Sequence, residues 1–502
     1  MDILSNLALG FGTSLQPANL LYCFVGVLLG TAIGVLPGLG PLATISMLLP
    51  LTYALDPVSA LIMLSGIYYG AQYGGSTTAI LVNLPGEASS VVTALDGHKM
   101  AQDGRAGAAL AIAALASVYA GTISTAFVAG FSPILASVAL SFGPADYFSL
   151  MVLGLVAAII LAHGSLLKAI GMVLVGLILG TVGIDGNSGA YRFTFGSLEL
   201  TTGLEFVSIA MGLFAFADII ANVSHKTTGA PTVHKITSLW PTKQDFREAT
   251  PAATRGTLLG SILGILPGGG AALASFSAYT LEKKVSKHPE RFGNGAVEGV
   301  AGPEAANNAA AQTSFIPMLT LGIPSNGTMA LMMGAMMIHN IAPGPQVIVQ
   351  QPALFWGLIT SMFVGNVLLV LLNLPLVSVW VKLISVPYRY LFPAILMFCV
   401  IGLYSIQNQT FEILVAAVFG LLGYLFMRMR CEAAPLLLGF ILGPMLESNL
   451  KRAMLLSKGD MSTFVTRPIS AIMLGLAVLL LLTVFLPQLR KKREEVFAEE
   501  EA

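Results

Sequence analysis

Proline and glycine stand close together at four places inside long apolar stretches of the chain. Proline lacks the amide donor that continues a helix, and glycine adopts turns that other residues avoid, so each place should break a helix. In a membrane, irregular backbone is tolerated only where it is buried in protein or lines a wet cavity. We therefore expect the four breaks to meet at one central site. They lie at residues 37–40, 85–86, 267–270 and 324–327.

The chemistry expected at these breaks is the binding of ions. Each break should start a short helix, whose first amides have no partner within the helix and whose dipole end is positive. Such helix starts bind carboxylates without Lys or Arg, and the break segments contain neither. The carbonyls freed on the preceding half-helix are natural ligands for Na⁺, a hard cation that prefers oxygen. The breaks therefore predict a site for a small carboxylate, with Na⁺ favoured over H⁺ as the coupling cation.

Hydroxyl and amide side chains surround the breaks, and polar groups at membrane depth are costly unless they have partners. The alternative interpretation is that the hydroxyls satisfy backbone carbonyls of their own helices. The predicted substrate-binding residues are Gly38, Gly40, Ser76, Thr77, Asn83, Pro85, Gly86, Gly268, Gly270, Asn307, Asn308, Pro324, Ser325 and Asn326. The predicted ion-binding residues are Leu36, Pro37, Leu266, Pro267, Thr313 and Ser314.

Two acidic residues, Glu87 and Glu304, follow a glycine or a proline near these elements. We interpret both as lying at helix starts, where a carboxylate complements the helix dipole. Proton coupling is the alternative role.

Composition indicates the elements that carry the breaks. Hydrophobic residues make up 55% of the 502 residues and charged residues only 10%, against roughly 25% charged in an ordinary soluble domain. Apolar stretches long enough to cross a bilayer recur from end to end. We predict an all-α integral membrane protein with about 10–12 membrane segments. Clear stretches are 108–131, 147–163, 167–182, 204–221, 354–374, 411–427 and 468–487.

Several function classes find no support in the sequence. The net charge is zero, so there is no basis for proposing a nucleic-acid partner. The three cysteines form no CxxC, and the six histidines form no HExxH, so neither a metal centre nor another cofactor is predicted. The first basic residue is Lys99, so the N-terminal apolar segment should be retained rather than cleaved as a signal peptide.

The chain contains a repeated motif. Residues 28–40 read LLGTAIGVLPGLG and residues 258–270 read LLGSILGILPGGG, with eight of 13 positions identical and a constant offset of 230 residues. A weaker similarity relates NLPGE (83–87) to GIPSN (322–326). In each motif the two apolar arms are short for a full crossing, which predicts a hairpin that enters and leaves on one side.

Basic residues, which concentrate in cytoplasmic loops, give the two halves opposite orientations. The second motif has basic residues on both flanks, at 243–255 and 283–291, whereas the first has none at 1–19 or 55–60. We predict two inverted-topology repeats with broken, re-entrant helical hairpins, an architecture that recurs in secondary transporters.

The predicted organisation has five parts. Residues 1–224 form the first repeat with its trailing spans, and 225–255 a cytoplasmic linker. Residues 256–446 form the second, inverted repeat with its trailing spans. Residues 447–466 are interpreted as an interfacial segment, and 467–502 as the last span and a charged tail.

Long motifs cover nearly the whole chain and resemble the large membrane subunit of the tripartite tricarboxylate transporters, the TctA family. The resemblance implies a bacterial inner-membrane, multi-pass subunit that contacts lipid and works with a small membrane subunit of about four spans and a periplasmic substrate-binding protein. It also implies uptake of carboxylates such as citrate on an ion gradient; the chain has no GxxxxGK[ST] phosphate loop. The motifs are GVLPGLGPLATISMLLP (34–50), YYGAQYGGSTTAILVNLPGEASSVVTALDGHKMAQDGRAGAAL (68–110), GTVGIDGNSGAYRFTFG (180–196), GILPGGGAALASF (264–276) and GPEAANNAAAQTSFIPMLTLGIPSNGTMALMMGA (302–335).

Two other functions compete with this importer. One is an anion channel or exporter that acts without a binding protein. The other is a membrane-embedded enzyme, which would need a nucleophile–base pair or a metal constellation; no His or Asp lies near Ser76 or Ser325 in the sequence. We predict that the chain is not an enzyme.

Overall fold

A computed structural model of the chain describes residues 3–36, 39–162, 165–185, 188–224, 239–266, 270–384 and 388–484. These residues are almost entirely helical, which confirms the all-α prediction. One two-stranded hairpin, β1 (Gly183–Ile184) paired antiparallel with β2 (Tyr191–Arg192), interrupts the described helices.

The residues that the structure describes before segment 225–238 form ten α-helices. They are α1 (Ile3–Ser14), α2 (Pro17–Gly34), α3 (Pro41–Leu48), α4 (Pro57–Val82), α5 (Val91–Met100), α6 (Ala106–Ala139), α7 (Pro144–Leu161), α8 (Leu166–Leu179), α9 (Phe206–Ala210) and α10 (Ala217–Ser224). Short 3₁₀ turns at Leu49–Thr52, Ala88–Ser90 and Glu199–Thr202 and π turns at Ala101–Arg105 and Met211–Phe216 extend several of them.

The second half continues the same pattern. Its helices are α11 (Lys243–Ile265), α12 (Gly270–Val285), α13 (Glu298–Thr313), α14 (Phe315–Leu321), α15 (Gly327–Ile338), α16 (Gln346–Gln350), α17 (Pro352–Asn373), α18 (Val377–Ile384), α19 (Tyr388–Gln407), α20 (Phe411–Arg428), α21 (Ala434–Leu456), α22 (Thr463–Thr466) and α23 (Pro468–Val484), with a 3₁₀ turn at Pro289–Arg291.

Within the described residues, four helices are long and apolar enough to cross a bilayer. Seven further apolar helices are shorter, including α3 and α15, which follow breaks. Short helices beside full-length ones are what broken membrane helices produce. The four long segments are Pro17–Gly34, Ala88–Ala139, Pro352–Asn373 and Phe411–Arg428.

Helices α2 and α4 pack closely and in parallel. Gly26, Gly30 and Gly34 lie against the backbone of Met63, Ile67 and Ala71, so the residue numbers rise together along both helices. A Cβ atom on Gly34 would lie 2.5 Å from the carbonyl oxygen of Ala71, which only a glycine avoids. Small residues spaced by four allow such close backbone approach, and this is the role of the glycines at 30 and 34.

Helices α11 and α13 repeat this parallel packing. Gly256, Gly260 and Gly264 lie against Gly302, Ala306 and Ala310. Each glycine of α11 follows its counterpart in α2 by 230 residues (256 − 26, 260 − 30, 264 − 34). The offset is the one that relates the two Pro-Gly motifs.

In each parallel helix pair, the connecting chain must run back to the end where the first helix began. Because α2 and α4 point the same way, the chain between them must come back, and it does so through α3 and the turn Leu49–Thr52. Helix α12 returns in the same way between α11 and α13. Helices α2 and α3, and likewise α11 and α12, therefore form hairpins that start and end at the same end of their helix pair.

The two helix pairs run in opposite directions. Tyr69 of α4 packs against Phe315 of α14, with 6.1 Å between ring centroids, whereas Ser76, farther along α4, lies close to Glu304 of α13. The numbers rise along α4 and fall along α13, so these two helices are antiparallel. This is the relative orientation that inverted repeats require; how the halves are inserted in a bilayer stays a prediction.

The predicted division into parts also stays a prediction. The boundary between 446 and 447 falls inside α21, which continues to Leu456. Ion pairs tie this end of α21 to the β-hairpin: Arg192 to Glu447 at 2.9 Å and Lys451 to Asp185 at 3.1 Å.

Candidate functional site

A helix begins directly after each described break. Gly40 is the N-cap of α3, Asn326 is the N-cap of α15, and α12 begins at Gly270. The Asn326 side-chain oxygen accepts a 3.0 Å hydrogen bond from the amide of Met329. Glu87 is the N-cap of the turn Ala88–Ser90, which leads into α5. The prediction that the breaks start short helices is confirmed.

The breaks of each half meet at equivalent contacts. A Cβ atom on Gly40 would lie 3.5 Å from the carbonyl oxygen of Gly86 and 3.8 Å from Cβ of Glu87. In the second half, a Cβ atom on Gly270 would lie 4.0 Å from Cβ of Asn326. The tip of each hairpin therefore touches the start of the next broken helix.

Contacts between the halves close these two pairs into a ring. Leu42, in the first turn of α3, packs against Gly327 at the start of α15. Helix α12 contacts the turn Ala88–Ser90. We call the four breaks joined by these contacts the break ring. It places four helix starts, and therefore four positive dipole ends, around one region.

The second breaks of the two halves have the same backbone geometry. Asn83 ends α4 and Gly322 ends α14, both in the left-handed region with φ of 56° and 70°. Glu87 and Asn326 then start the next helix in extended conformation. Gly322 follows Asn83 by 239 residues (322 − 83), and Asn326 follows Glu87 by the same number (326 − 87). This is the spacing between the two similar segments NLPGE and GIPSN.

Most predicted hydroxyls bond to the backbone of their own helix. Ser76 and Thr77 donate to the carbonyls of residues 72 and 73, at 3.4 and 3.2 Å. Thr313 and Ser314 donate to the carbonyls of residues 309 and 311, at 3.0 and 2.7 Å. Ser325 instead donates across the break to the carbonyl of Ser314 at 3.2 Å. Four of these five hydroxyls therefore satisfy backbone carbonyls of their own helices, as the alternative interpretation stated.

The remaining predicted residues differ in exposure. Asn83 is exposed, Pro85 is half-buried, and Gly86 is buried where a Cβ atom would lie 2.6 Å from Cα of Gly75. Pro324 and Leu36 are buried, whereas Leu266 is 47% exposed. Gly38, Pro37, Pro267 and Gly268 lie outside the described residues.

The two asparagines of α13 point to different partners. Asn307 is fully buried and donates to Oε1 of Glu87 at 3.3 Å, which brings it to the break ring. Asn308 donates to Ser117 of α6 at 2.8 Å and to the carbonyl of Glu304 at 3.1 Å. Only Asn307 therefore contacts a break.

Glu87 lies in the break ring, at a helix start as predicted. Its Oε1 accepts a 2.5 Å hydrogen bond from Ser89 and one from Asn307. In the amide orientation that satisfies the hydrogen bonds, Gln72 also donates to this carboxylate. All these donors are neutral, so they orient the carboxylate without cancelling its charge.

The prediction that Glu304 starts a helix is wrong. It is the seventh residue of α13 (Glu298–Thr313) and is buried, with Thr93 of α5 donating to its Oε1 at 2.5 Å. The helix continues through Pro303, although the proline removes one helix hydrogen bond, because α13 is buried on all sides by neighbouring helices.

The polar neighbours of Glu304 were not predicted. Ser117 lies on α6, Thr93 lies on α5, and Tyr73 lies on α4. The available signal was the helical spacing of polar groups on α4, where Gln72, Tyr73 and Ser76 recur at intervals that share one face.

Comparisons with known sequences find one family and two similar proteins. The sequence model of the tripartite tricarboxylate transporter TctA family matches residues 20–438. An uncharacterised 52.8 kDa protein in the TAR-I ttuC' 3' region of Agrobacterium vitis is 60% identical over 501 residues, 100% of both chains. An uncharacterised protein in the TAR-II ttuC' 3' region of the same organism is 59% identical over 242 residues, which are 48% of this chain and 100% of the relative. No solved structure matches the chain.

Proposed function

The chain belongs to the tripartite tricarboxylate transporter TctA family, and from this premise we propose that it takes up small carboxylates, such as citrate or another di- or tricarboxylate, by secondary active transport. The chain is a membrane transporter component. We further propose that the break ring binds the substrate. The observation that carries it is the convergence of four helix starts contributed by two oppositely directed halves.

The break ring suits an anion for an electrostatic reason. The segments 36–42, 83–90, 264–272 and 322–328 contain no Lys or Arg. The positive charge there comes from helix starts, whose free amides bind carboxylate oxygens while remaining neutral overall. Substrate and ion therefore leave the site more easily than they would leave a buried Lys or Arg.

Glu87 supplies the argument for ion coupling. Its carboxylate lies in the break ring and its hydrogen-bond donors among the described residues are neutral. A bound carboxylate would be repelled by this charge unless a cation or a proton compensates it. Cation binding therefore favours substrate binding at the same site, which is the requirement for co-transport.

The coupling cation in this proposal is Na⁺ rather than H⁺. The membrane potential contributes about 2.3 kcal/mol per charge per 100 mV. A trivalent anion therefore needs more than three co-transported cations to be drawn inward by that potential.

The proposed setting is the bacterial inner membrane. Large apolar side chains on α6, α20 and α23, such as Phe127, Leu421 and Leu479, are 41–64% exposed and suit contact with lipid or with a small membrane subunit. A periplasmic binding protein would deliver the carboxylate to the break ring.

The test is uptake of radiolabelled citrate and other di- and tricarboxylates into proteoliposomes that contain the chain and its partner subunits. We expect accumulation on a Na⁺ gradient at fixed pH when the binding protein is added. Asn326→Ala and Asn307→Ala should reduce uptake much more than Ser197→Ala, a change at a half-buried position of the 183–200 loop. The change Asn326→Ser keeps a helix cap and separates lost binding from lost capping.

Two results would contradict the proposal. Uptake that needs no binding protein and runs equally in both directions would indicate a channel or exporter. Unchanged substrate affinity in a variant without both Asn307 and Asn326 side-chain amides would place the site elsewhere.

A further inference from the structure

Glu304 is a buried carboxylate without a basic partner among the described residues. Its side chain is 1% exposed, and none of the ion pairs that the described ranges form includes it. Burying a carboxylate without a compensating charge costs several kcal/mol. The Glu87 carboxylate is near enough to interact with it electrostatically, which adds to that cost. The position therefore requires a positive charge.

Hydroxyl oxygens from three helices surround this carboxylate. Thr93 of α5 lies 2.5 Å from Oε1 of Glu304. Ser76 of α4 and Ser117 of α6 lie close enough to interact with the same carboxylate. Asn308 holds Ser117 in place by donating to its Oγ at 2.8 Å. Carboxylate and hydroxyl oxygens are hard ligands of the kind that alkali and alkaline-earth cations prefer.

An unpartnered polar group also lies at this place. The Tyr73 side chain is 5% exposed, and its hydroxyl has no hydrogen-bond partner among the described residues. It is close enough to Glu304 for an electrostatic interaction. A buried hydroxyl without a partner is costly unless a ligand supplies one.

We propose that Glu304 is the charged ligand of a Na⁺ site whose neutral ligands are the oxygens of Thr93, Ser76, Ser117 and Tyr73. This proposed site uses neither the break carbonyls nor Thr313 and Ser314. Several oxygens around one carboxylate suit a coordinated cation, whereas a bound proton needs only one acceptor.

The site connects the cation to the break ring. Thr93 belongs to α5, the helix that follows the break at 85–86, and Glu304 belongs to α13 of the other half. A cation bound between them holds α5 against α13, and it lies beside Glu87, whose charge opposes anion binding. The coupling role rests on the proposed transport function, whereas Na⁺ binding to the purified chain does not.

The experiment measures thermal unfolding of the purified chain in detergent as NaCl replaces choline chloride at constant ionic strength. We expect Na⁺ to raise Tm in the wild type and Glu304→Gln to abolish that rise. Thr93→Val, which keeps the side-chain shape, should raise the half-saturating Na⁺ concentration about tenfold. Binding of ²²Na⁺ to the same samples gives a second readout.

A matched control is Glu412→Gln. Glu412 is also a buried glutamate, 5% exposed, that accepts one 2.6 Å hydrogen bond from Ser208, but it lies in the first turn of α20, where the helix dipole stabilises it. This variant should keep the Na⁺ response.

Two outcomes would overturn the proposed Na⁺ site, and a third would count only against the proposed function. A Na⁺ response that persists in both Glu304→Gln and Thr93→Val overturns the proposal. So does a wild type that ignores Na⁺ but shows a pH response lost in Glu304→Gln, which would make the proton the ligand. Wild-type Na⁺ binding without carboxylate uptake in the proteoliposomes would count against the proposed function and leave the site standing.

Discussion

The carboxylate of Asp96, in the first half of the chain, accepts a 2.8 Å hydrogen bond from the backbone amide of Ala296, in the second half. The same oxygen accepts from the amides of Gly293 and Gly295, and the other accepts from the hydroxyl of Tyr279 at 3.0 Å. Asp96 is fully buried. One side chain of α5 therefore holds the loop that leads into α13, and its charge complements the start of that helix.

Removing this contact should destabilise the protein. Asp96→Asn can keep an amide oxygen on the three backbone amides, but it removes the negative charge that they bind and puts an NH2 group in place of the oxygen that accepts from Tyr279. We expect a loss of about 2–3 kcal/mol in the free energy of unfolding. The control is Asp56→Asn, because Asp56 is exposed and accepts one amide bond at 3.2 Å. It should cost less than about 1 kcal/mol. Thermal unfolding in detergent measures the destabilisation in both variants. Equal losses would show that the Asp96 contact contributes no more stability than the exposed Asp56 cap.

The close packing of α11 on α13 predicts a steric effect. A Cβ atom on Gly260 would lie 2.7 Å from Cα of Ala306, so Gly260→Ala must push the helices apart. We expect a cost of about 1–3 kcal/mol. Gly130→Ala in α6, where nothing lies within 4 Å, should be neutral or stabilising by about 0.5–1 kcal/mol. Chemical denaturation of the two variants compares them, and the opposite order would refute the parallel packing.

Opposite helix directions predict opposite labelling. Gln16 lies at the base of the first hairpin and Lys287 at the base of the second, and both are exposed. Gln16→Cys should therefore react with a membrane-impermeant maleimide from the periplasmic side and Lys287→Cys from the cytoplasmic side. The wild type provides the background, since Cys23, Cys399 and Cys431 are buried. Reaction of both variants from one side would rule out the inverted arrangement.

One ion pair outside the membrane segments predicts a pH dependence. Arg291 donates to Glu248 at 2.8 Å and holds the pKa of that carboxyl below its ordinary value of 4.5. A lowered pKa means that the stabilisation is present above about pH 4.5 and is lost as the pH falls through the folded-state value. The pair is partly exposed, so it should contribute less than about 1 kcal/mol.

Comparing the wild type with Glu248→Gln tests this assignment. The difference in Tm should be present at pH 7 and shrink toward pH 3, and 1 M NaCl at pH 7 should reduce it. A difference that grows on acidification would have the wrong sign for a lowered pKa.

Local sequence determined the secondary structure and the family. In hydrocarbon, backbone hydrogen bonds must be satisfied within each segment, so apolar length and Pro-Gly breaks indicate helices and their ends without knowledge of the fold. The breaks after Leu36 and Asn83 and their counterparts were therefore predictable, as was the resemblance that residues 20–438 confirm. The glycines at intervals of four on α2 and α11 stand where the structure leaves no room for a side chain.

Only the tertiary structure decided which polar groups meet. Thr93 and Glu304 are 211 residues apart, and Asn307 and Glu87 are 220 apart. Such pairings depend on the packing of the turn Ala88–Ser90 and of α5 against α13, which no local pattern contains. The same reason explains the error at Glu304. A proline predicts a helix start from local geometry alone, whereas burial among helices of both halves keeps α13 continuous through Pro303 and places its carboxylate inside the protein.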